Sequence, residues 1–225
     1  MFDKEKYFFD KKIIQWENGR YLNKNDFLLE KISDYFSNSL KFRRKKSLDF
    51  LKKIDVRNKI VYEQGCGSGF LAKKIIEMGA KKYIGLDIST KAINRANNLN
   101  QKLIKNNKCE FICNRPQAYE HINYDIVFSL GFIDWLNDED LKKLINKKKF
   151  YKSFFHSYSS LNKYSISQLV HRLYVYFSYK RKKKLSPIYR SDQYIINLFK
   201  ADYKINIYSH SKLSFGKFFG NIEFE

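Results

Sequence analysis

Short apolar runs alternate with amphipathic stretches through the middle of the chain. The runs are rich in β-branched and aromatic residues, as buried strands are, and the stretches between them carry apolar residues at helical spacing. The predicted strands are 59–63, 83–88, 109–113, 125–130 and 150–158. The predicted helices between them are 69–78, 90–98, for which Ser89 is the expected N-cap, and 138–148. This alternation predicts an α/β fold with a mainly parallel sheet.

The two ends of the chain have other patterns. Before residue 57, apolar positions recur at helical spacing in 27–40 and again in 47–54. After the fifth strand, 165–179 and 191–200 are predicted helices. The last two apolar runs, 204–208 and 218–224, have no helix between them, so we expect an antiparallel pair.

A glycine-rich segment carries the strongest chemical signal. Glu63-Gln64-Gly65-Cys66-Gly67-Ser68-Gly69 follows a predicted strand and opens a predicted helix. Glycines at alternate positions allow sharp turns and a close approach of a ligand to the backbone. Asp87, at the end of the next strand, can accept hydrogen bonds from a ribose diol. Ligands of open α/β sheets bind at the carboxyl ends of the strands, where both features lie.

Spacing alone leaves two cofactors open. Gly67, Gly69 and Ala72 satisfy a loose G-x-G-x-x-A dinucleotide pattern, with Asp87 twenty residues after the first glycine. An NAD(P)-dependent oxidoreductase therefore remains an alternative. A Y-x-x-x-K match that ends at Lys180 adds little, because the chain has 17 tyrosines and many lysines.

The segments EQGCGSG, GLDIS and KAINRANN resemble class I S-adenosylmethionine-dependent methyltransferases. That family has an acid at the end of strand one, which Glu63 matches and a dinucleotide enzyme does not need. The resemblance covers roughly residues 57–145. It implies a Rossmann-like, seven-stranded, mainly parallel sheet with a C-terminal antiparallel strand pair. It also implies an N-terminal helical cap, and we divide the chain into a cap, 1–56, and a methyltransferase core, 57–225.

The resemblance also implies the cofactor, S-adenosylmethionine, with S-adenosylhomocysteine as product, and its binding residues. Gly65 and Gly67 approach the methionine and ribose parts, Asp87 holds the ribose hydroxyls, and Glu63 orders the loop or meets the ammonium group. The expected cofactor-binding residues are Glu63, Gly65, Cys66, Gly67, Gly69, Asp87, Ile88, Asn114 and Leu130. Asn114 stands where the family often has an aspartate near the adenine.

The catalytic and acceptor-binding residues are expected after strands four and five. Many relatives carry a Glu-His pair where this chain has Asp134-Trp135, so a carboxylate is present without the imidazole. A hydroxyl acceptor benefits from a base, and we expect Asp134, or His156 near the end of strand five, to supply it. The N-terminal segment is expected to form a lid. The expected acceptor-binding residues are Tyr7, Trp16, Tyr21, Phe132, Trp135 and His171. No metal site is expected, because Cys109 and Cys113 have no partners at zinc-like spacing.

Composition adds a question about the acceptor. The chain has 44 Lys and Arg against 23 Asp and Glu, a net charge of +21 on 225 residues. One interpretation of this excess is compositional, because AT-rich coding favours lysine, and the other is that the charge is functional. Its distribution is uneven, because Leu141 to Ser191 contains fourteen Lys or Arg and no acid. This stretch flanks the expected acceptor side, and its local field favours an anion.

Several acceptors and partners follow as hypotheses. The first is a small anionic acceptor, such as a phosphorylated or nucleotide-linked sugar, since the chain looks similar to methyltransferases of bacterial surface-polysaccharide pathways. The second is RNA, with the basic stretch as a phosphate track. The third is a non-catalytic basic module on an anionic membrane surface. Without a signal-peptide pattern or an apolar run of roughly 18 residues, we expect a cytoplasmic protein.

Overall fold

A computed structural model describes residues 2–22, 28–115, 123–146, 152–162, 165–177, 186–199 and 203–224. The helices are α1 (Phe2–Leu22), α2 (Leu28–Ile54), α3 (Ala72–Glu77), α4 (Thr90–Leu99), α5 (Gln101–Lys105), α6 (Asp138–Asn146), α7 (Ile166–Val175) and α8 (Asp192–Phe199). The strands are β1 (Ile60–Gln64), β2 (Lys82–Asp87), β3 (Cys109–Cys113), β4 (Ile126–Ser129), β5 (Ser153–Ser159), β6 (Asn206–Tyr208) and β7 (Gly216–Gly220).

In this part of the chain the strands form one seven-stranded sheet in the order β3-β2-β1-β4-β5-β7-β6. Strands β1 to β5 are parallel, and β7 pairs antiparallel with both β5 and β6. The expected mainly parallel sheet with a C-terminal antiparallel pair is confirmed. Because the parallel strands share a direction, the carboxyl ends of β1, β2, β3 and β4 meet at one edge of the sheet, which we call the carboxyl edge.

Most predicted elements lie within a few residues of the observed ones, and two differ for clear reasons. The predicted helices 27–40 and 47–54 are one helix, α2, because the intervening Lys- and Arg-rich segment consists of good helix formers. The predicted helix 69–78 begins only at Ala72, since Gly69 has a positive φ and belongs to the preceding turn. Its neighbour α4 begins as expected, with Ser89 Oγ accepting a hydrogen bond from the Ala92 N–H.

Two buried clusters cover the two faces of the sheet. In one, Phe50 and Leu51 of α2 pack in the same cluster as Val61, Tyr83 and Phe155. In the other, α6 and α8 pack through the apolar residues Leu141, Leu144, Ile195 and Phe199. Helix α2 thus joins the segment before residue 57 to the sheet. The division into a cap, 1–56, and a core, 57–225, stays a prediction.

Candidate functional site

The glycine loop after β1 is a tight turn at the carboxyl edge. Gly65, Gly67 and Gly69 have φ values of 71°, 54° and 64°, a backbone region that side chains with a Cβ atom rarely adopt. The N–H groups of Gly65 and Cys66 both donate to the carbonyl of Leu86, at 2.7 and 3.1 Å. The end of β2 therefore fixes the start of the loop.

The three glycines of this loop face different neighbours. A Cβ atom on Gly69 would lie 2.3 Å from the ring of Phe111 in β3, so this glycine permits internal packing. On Gly65 it would lie 3.0 Å from Cβ of Phe132, and on Gly67 it would lie 2.5 Å from Oε1 of Glu17. Gly65 and Gly67 thus face the segment after β4 and helix α1, where a ligand at the carboxyl edge would lie.

Asp87 connects the glycine loop to the segment after β2. Its Oδ2 accepts a hydrogen bond from the Gly67 N–H and its Oδ1 accepts one from the Ser89 N–H, each at 2.9 Å. Burial raises the pKa of Asp87 to about 6, although the two backbone N–H donors act in the opposite direction. The carboxylate is therefore held against the loop and is mainly ionised at neutral pH.

Glu63 lies below the loop, inside the protein. It is buried and accepts a 2.6 Å hydrogen bond from the hydroxyl of Tyr83. Burial raises the pKa of Glu63 to about 8, so the group is mostly protonated at neutral pH. Cys66 is also buried, and burial raises the pKa of its thiol, which suits a small loop residue and not a nucleophile. The Tyr83 contact ties Glu63 to β2, and its role in ordering the loop or in meeting the ammonium group stays a prediction.

Gln64, the last residue of β1, is a further candidate that the sequence pattern does not single out. The side chain is 2% exposed, and its Oε1 has no hydrogen-bond partner among the described residues. A buried acceptor without a donor is costly unless a ligand or water supplies one. Its position directly before Gly65 was the only available signal.

Helix α1 lies across the carboxyl edge and contacts three successive loops through acidic side chains. Glu5 pairs with Arg115 after β3. Asp10 Oδ1 accepts from the Ser89 hydroxyl at 2.7 Å and from the Lys91 N–H at 3.0 Å, after β2. Glu17 contacts the loop after β1.

The Glu17 contact is the most intimate of the three. Its carboxylate is buried and accepts hydrogen bonds from the Ser68 N–H at 2.8 Å and from the Ser68 hydroxyl at 2.5 Å. Arg95 of α4 lies 3.5 Å from the same carboxylate. Helix α1 therefore covers the glycine loop, as expected for an N-terminal lid, while a lid motion stays a prediction.

The remaining expected cofactor residues lie around this edge. The Asn114 N–H donates to the carbonyl of Asp87 at 3.0 Å, so the segment after β3 runs beside the ribose-binding candidate. The carbonyl of Ile88 lies 3.6 Å from the Cys113 thiol. Leu130 is half-buried after β4 and packs against the cluster on the α2 face. The cofactor roles of these residues stay predictions.

Asp134 lies in a short 3-10 turn after β4, and its carboxylate faces β5. Oδ1 accepts from the Ser159 N–H at 2.7 Å and Oδ2 accepts from the Ser159 hydroxyl at 2.8 Å. Burial raises the pKa of Asp134, while the charges of Arg43 and Arg190 oppose this shift. These contacts give Asp134 a structural role between β4 and β5, and its role as a base stays a prediction.

Arg190 ends the basic stretch but is itself buried. Its guanidinium donates to the carbonyls of Ile133 and Leu136, at 3.0 and 2.6 Å, and pairs with Asp138. This residue therefore clamps the loop after β4. From the sequence, Arg190 is only one charge of a positive field, because its partners lie more than fifty positions earlier in the chain.

The two candidate histidines have separate surroundings. His156 in β5 is buried, its Nδ1 lies 2.9 Å from the hydroxyl of Ser129, and burial lowers its pKa to about 3. It is therefore neutral at neutral pH. His171 in α7 is half-buried, with Nδ1 2.6 Å from the hydroxyl of Tyr189.

The expected aromatic acceptor residues are only partly brought together. The ring of Trp135 lies 5.8 Å from Phe8 and 5.4 Å from Phe9, which joins α1 to the segment after β4. Phe132 contacts the glycine loop at Gly65. Tyr7 is 62% exposed on α1. The side chains of Trp16 and Tyr21 lie outside the described residues.

Comparisons with known proteins agree with this geometry. A family model described as "Methyltransferase domain" matches residues 61–149. The ribosomal protein L11 methyltransferase of Hamiltonella defensa subsp. Acyrthosiphon pisum (strain 5AT) is 48% identical over 46 residues, which are 20% of this chain and 15% of that protein. The corresponding enzyme of Aliivibrio salmonicida (strain LFI1238) is 48% identical over 46 residues and 16% of its length. The chain thus spans only 15–16% of these curated relatives.

Solved structures match over nearly the whole chain. Magnesium protoporphyrin IX methyltransferase (ChlM) from Synechocystis PCC 6803, with bound S-adenosylhomocysteine, has a TM-score of 0.69 and 14% identity, covering 97% of this chain and 98% of that one. A DhpI complex with S-adenosylmethionine and HEP has a TM-score of 0.65 and 11% identity, covering 97% and 95%. Identities this low show a common fold. The family match and the fold together confirm the resemblance of this chain to the class I S-adenosylmethionine-dependent methyltransferases.

Proposed function

We propose that this chain transfers the methyl group of S-adenosylmethionine to a small anionic acceptor, by O-methylation, and releases S-adenosylhomocysteine. One observation carries the proposal. The carboxylate of Asp87 is bonded to the Gly67 N–H, so the ribose-binding candidate and the glycine loop form one rigid unit at the carboxyl edge. The family match at residues 61–149 includes both features.

The residues at this edge fit the cofactor. Gly65 and Gly67 project no side chain toward this edge, and Asp87 is an ionised acceptor for hydroxyl donors. The Oε1 of Gln64, which has no hydrogen-bond partner among the described residues, can accept from an amino group or hydroxyl. Asn114 offers an amide to the adenine edge. When bound, S-adenosylmethionine supplies a methyl group activated on a sulfonium. The chain's own residues then bind, orient and exclude water around the reacting atoms.

Helix α1 has to be part of this arrangement. In the structure, the Glu17 carboxylate lies in front of Gly67 and uses the N–H of Ser68. We therefore propose that the end of α1 that carries Glu17 moves when cofactor enters. This motion would make α1 the lid of the site.

Two groups are candidates for the base that accepts the proton of the acceptor's hydroxyl. Asp134 has both carboxylate oxygens on Ser159, and His156 is buried beside Ser129 with a low pKa. A positioned acceptor with an activated methyl donor needs little further acceleration, so Asp134 can contribute by holding the loop after β4. We keep Asp134 as the first candidate base and His156 as the second.

The acceptor is proposed from charge and from the neighbours. ChlM acts on magnesium protoporphyrin IX, a small molecule, and covers nearly the same length of chain. The acid-free stretch from Leu141 to Ser191 follows the loop after β4 in the sequence, and its charge favours an anion. A phosphorylated or nucleotide-linked sugar has this character.

Calorimetry with S-adenosylhomocysteine and with NADPH tests the cofactor. We expect the first to bind and the second not to bind, and the reverse result would favour an oxidoreductase. Labelled S-adenosylmethionine with pools of nucleotide sugars, neutral sugars and RNA then tests the acceptor. Methyl transfer to RNA that weakens steeply with salt would replace the small-molecule proposal.

A further inference from the structure

Helix α7 has an inner face that packs against the protein and an outer face that is exposed. Its inner face contains Val175, which packs against Phe8, and Gln168, which donates to the carbonyl of Ser160 at 2.6 Å. Its outer face, together with the turn that continues it, is formed by apolar residues with large exposed fractions. We call these six residues the outer face of α7: Ile166, Leu169, Val170, Leu173, Tyr176 and Phe177.

The outer face is a continuous stripe. Successive helical residues are about 100° apart, so these positions fall within an arc of about 120°. The exposed fractions are 80% for Ile166, 58% for Leu169, 52% for Leu173 and 58% for Phe177. Scattered exposed leucines are normal on a surface, but an apolar stripe of this length marks an interaction site.

Charge indicates the partner. The stretch from Leu141 to Ser191, which contains α7, has no acidic residue. In sequence, the basic run Lys180-Arg181-Lys182-Lys183-Lys184 begins three residues after Phe177. An apolar helical face beside a cluster of basic residues is the pattern of a helix that lies in the interface of an anionic membrane.

We propose that the outer face of α7 inserts into the surface of an anionic lipid bilayer, which the positive charge of the chain attracts. No helix of the described residues is long and apolar enough to cross a membrane, so this attachment is peripheral. This attachment does not require that the chain be a methyltransferase.

The same observations disfavour other partners. A second copy seated on this face would bring together two chains that each carry a charge of +21, and their electrostatic repulsion opposes this. An RNA partner would stack on aromatic rings, whereas the centre of the face is aliphatic, with Leu169 and Leu173. The following experiments distinguish a second copy and RNA from a lipid surface.

Vesicle flotation tests the proposal on the full chain. We expect binding to vesicles of equal parts phosphatidylcholine and phosphatidylglycerol, and little binding to phosphatidylcholine alone. Leu169→Gln and Leu173→Gln should each weaken binding by about tenfold. The matched control is Leu99→Gln on α4, whose leucine is 54% exposed and lies outside the face. Neutralising the basic run should weaken binding by about fivefold for each charge.

The depth of insertion is measured by the quenching of tryptophan fluorescence in Phe177→Trp by brominated lipids. We expect quenching beyond that of the wild-type chain. Binding that survives both leucine variants, or that occurs without added quenching, would overturn insertion. So would a doubled mass in light scattering that Leu173→Gln abolishes, or binding of a labelled oligonucleotide that this variant removes. S-adenosylhomocysteine titration of the same samples checks folding and reports on the methyltransferase proposal separately.

Discussion

Asp87→Asn is the substitution that most directly tests the cofactor site. The carboxylate is expected to accept hydrogen bonds from the ribose hydroxyls, and a hydrogen bond to a charged group contributes about 1.5–3 kcal/mol. Loss of the charge should therefore weaken S-adenosylhomocysteine binding by about tenfold to a hundredfold. The amide can also accept only one of the two backbone N–H groups, from Gly67 and Ser89, that the carboxylate accepts.

That second effect is separable from the first. Leaving one buried N–H opposite an amide NH2 costs about 1–3 kcal/mol, partly offset because a buried charge is removed. Asp125→Asn is the matched control. Asp125 accepts a 2.9 Å hydrogen bond from the Ile60 N–H at the opposite edge of the sheet. It should lower thermal stability without changing cofactor affinity.

The pH dependence of binding gives a third measure. Because burial raises the pKa of Asp87 to about 6, the wild-type carboxyl gains a proton as pH falls below that value. Cofactor binding then has to displace the proton, so the Kd for S-adenosylhomocysteine should rise by about tenfold per pH unit below 6. Calorimetry across this range should give a flat profile for Asp87→Asn. Equal affinities of the two proteins at neutral pH, or parallel pH profiles, would refute the ribose assignment.

Three further substitutions test helix α1 over the glycine loop, Glu63 in β1, and Asp134 in the segment after β4. Glu17→Ala should speed amide exchange in α1 and speed cofactor association in stopped flow, whereas Lys11→Ala on the same helix should do neither; unchanged rates would exclude the lid. Glu63→Gln should flatten the dependence of stability on pH between about pH 5 and 8. In this range folded Glu63 holds a proton that the unfolded chain releases, so the free energy of unfolding of the wild-type chain falls by about 1.4 kcal/mol per pH unit. Equal pH slopes for the variant and the wild-type chain in denaturant titrations would contradict the raised pKa. If Asp134 is the base, Asp134→Asn should keep cofactor affinity and lose turnover. A lower melting temperature with turnover retained would show that Asp134 is not the base and acts only through its hydrogen bonds to Ser159.

The sheet and the glycine loop were predictable because their signals are local. Apolar runs of five or six residues and a serine before a helix are read within one window of the sequence, and Ser89 caps α4 as expected. Asp87 is a candidate for the same reason, since its position at the end of the strand that follows a glycine motif is read without knowledge of distant contacts.

The cover of the site was not predictable in this detail. Glu17 bonds to Ser68 across 51 positions, and Asp10 bonds to Ser89 across 79. Helix α1 has no concentrated apolar stripe, so no periodicity indicates which side contacts the core. Its acidic side chains dock on N–H and hydroxyl groups at loops that exist only after the sheet has formed. Arg190 escaped notice for the same reason.

Helix α7 provides a physical connection between the proposed membrane-binding face and the proposed cofactor site. Val175 on the inner face packs against Phe8 of α1, and Phe8 contacts Trp135 in the segment after β4. If insertion of the outer face shifts α7, the position of α1 over the glycine loop has to respond through Phe8. Coupling between two binding events is reciprocal, so any factor by which vesicles change S-adenosylhomocysteine affinity must also appear in vesicle affinity when S-adenosylhomocysteine is added. The two measurements are S-adenosylhomocysteine affinity with and without vesicles, and vesicle affinity with and without S-adenosylhomocysteine. Coupling through α7 changes both affinities by the same factor, whereas a simple attraction of a basic protein to an anionic surface changes neither.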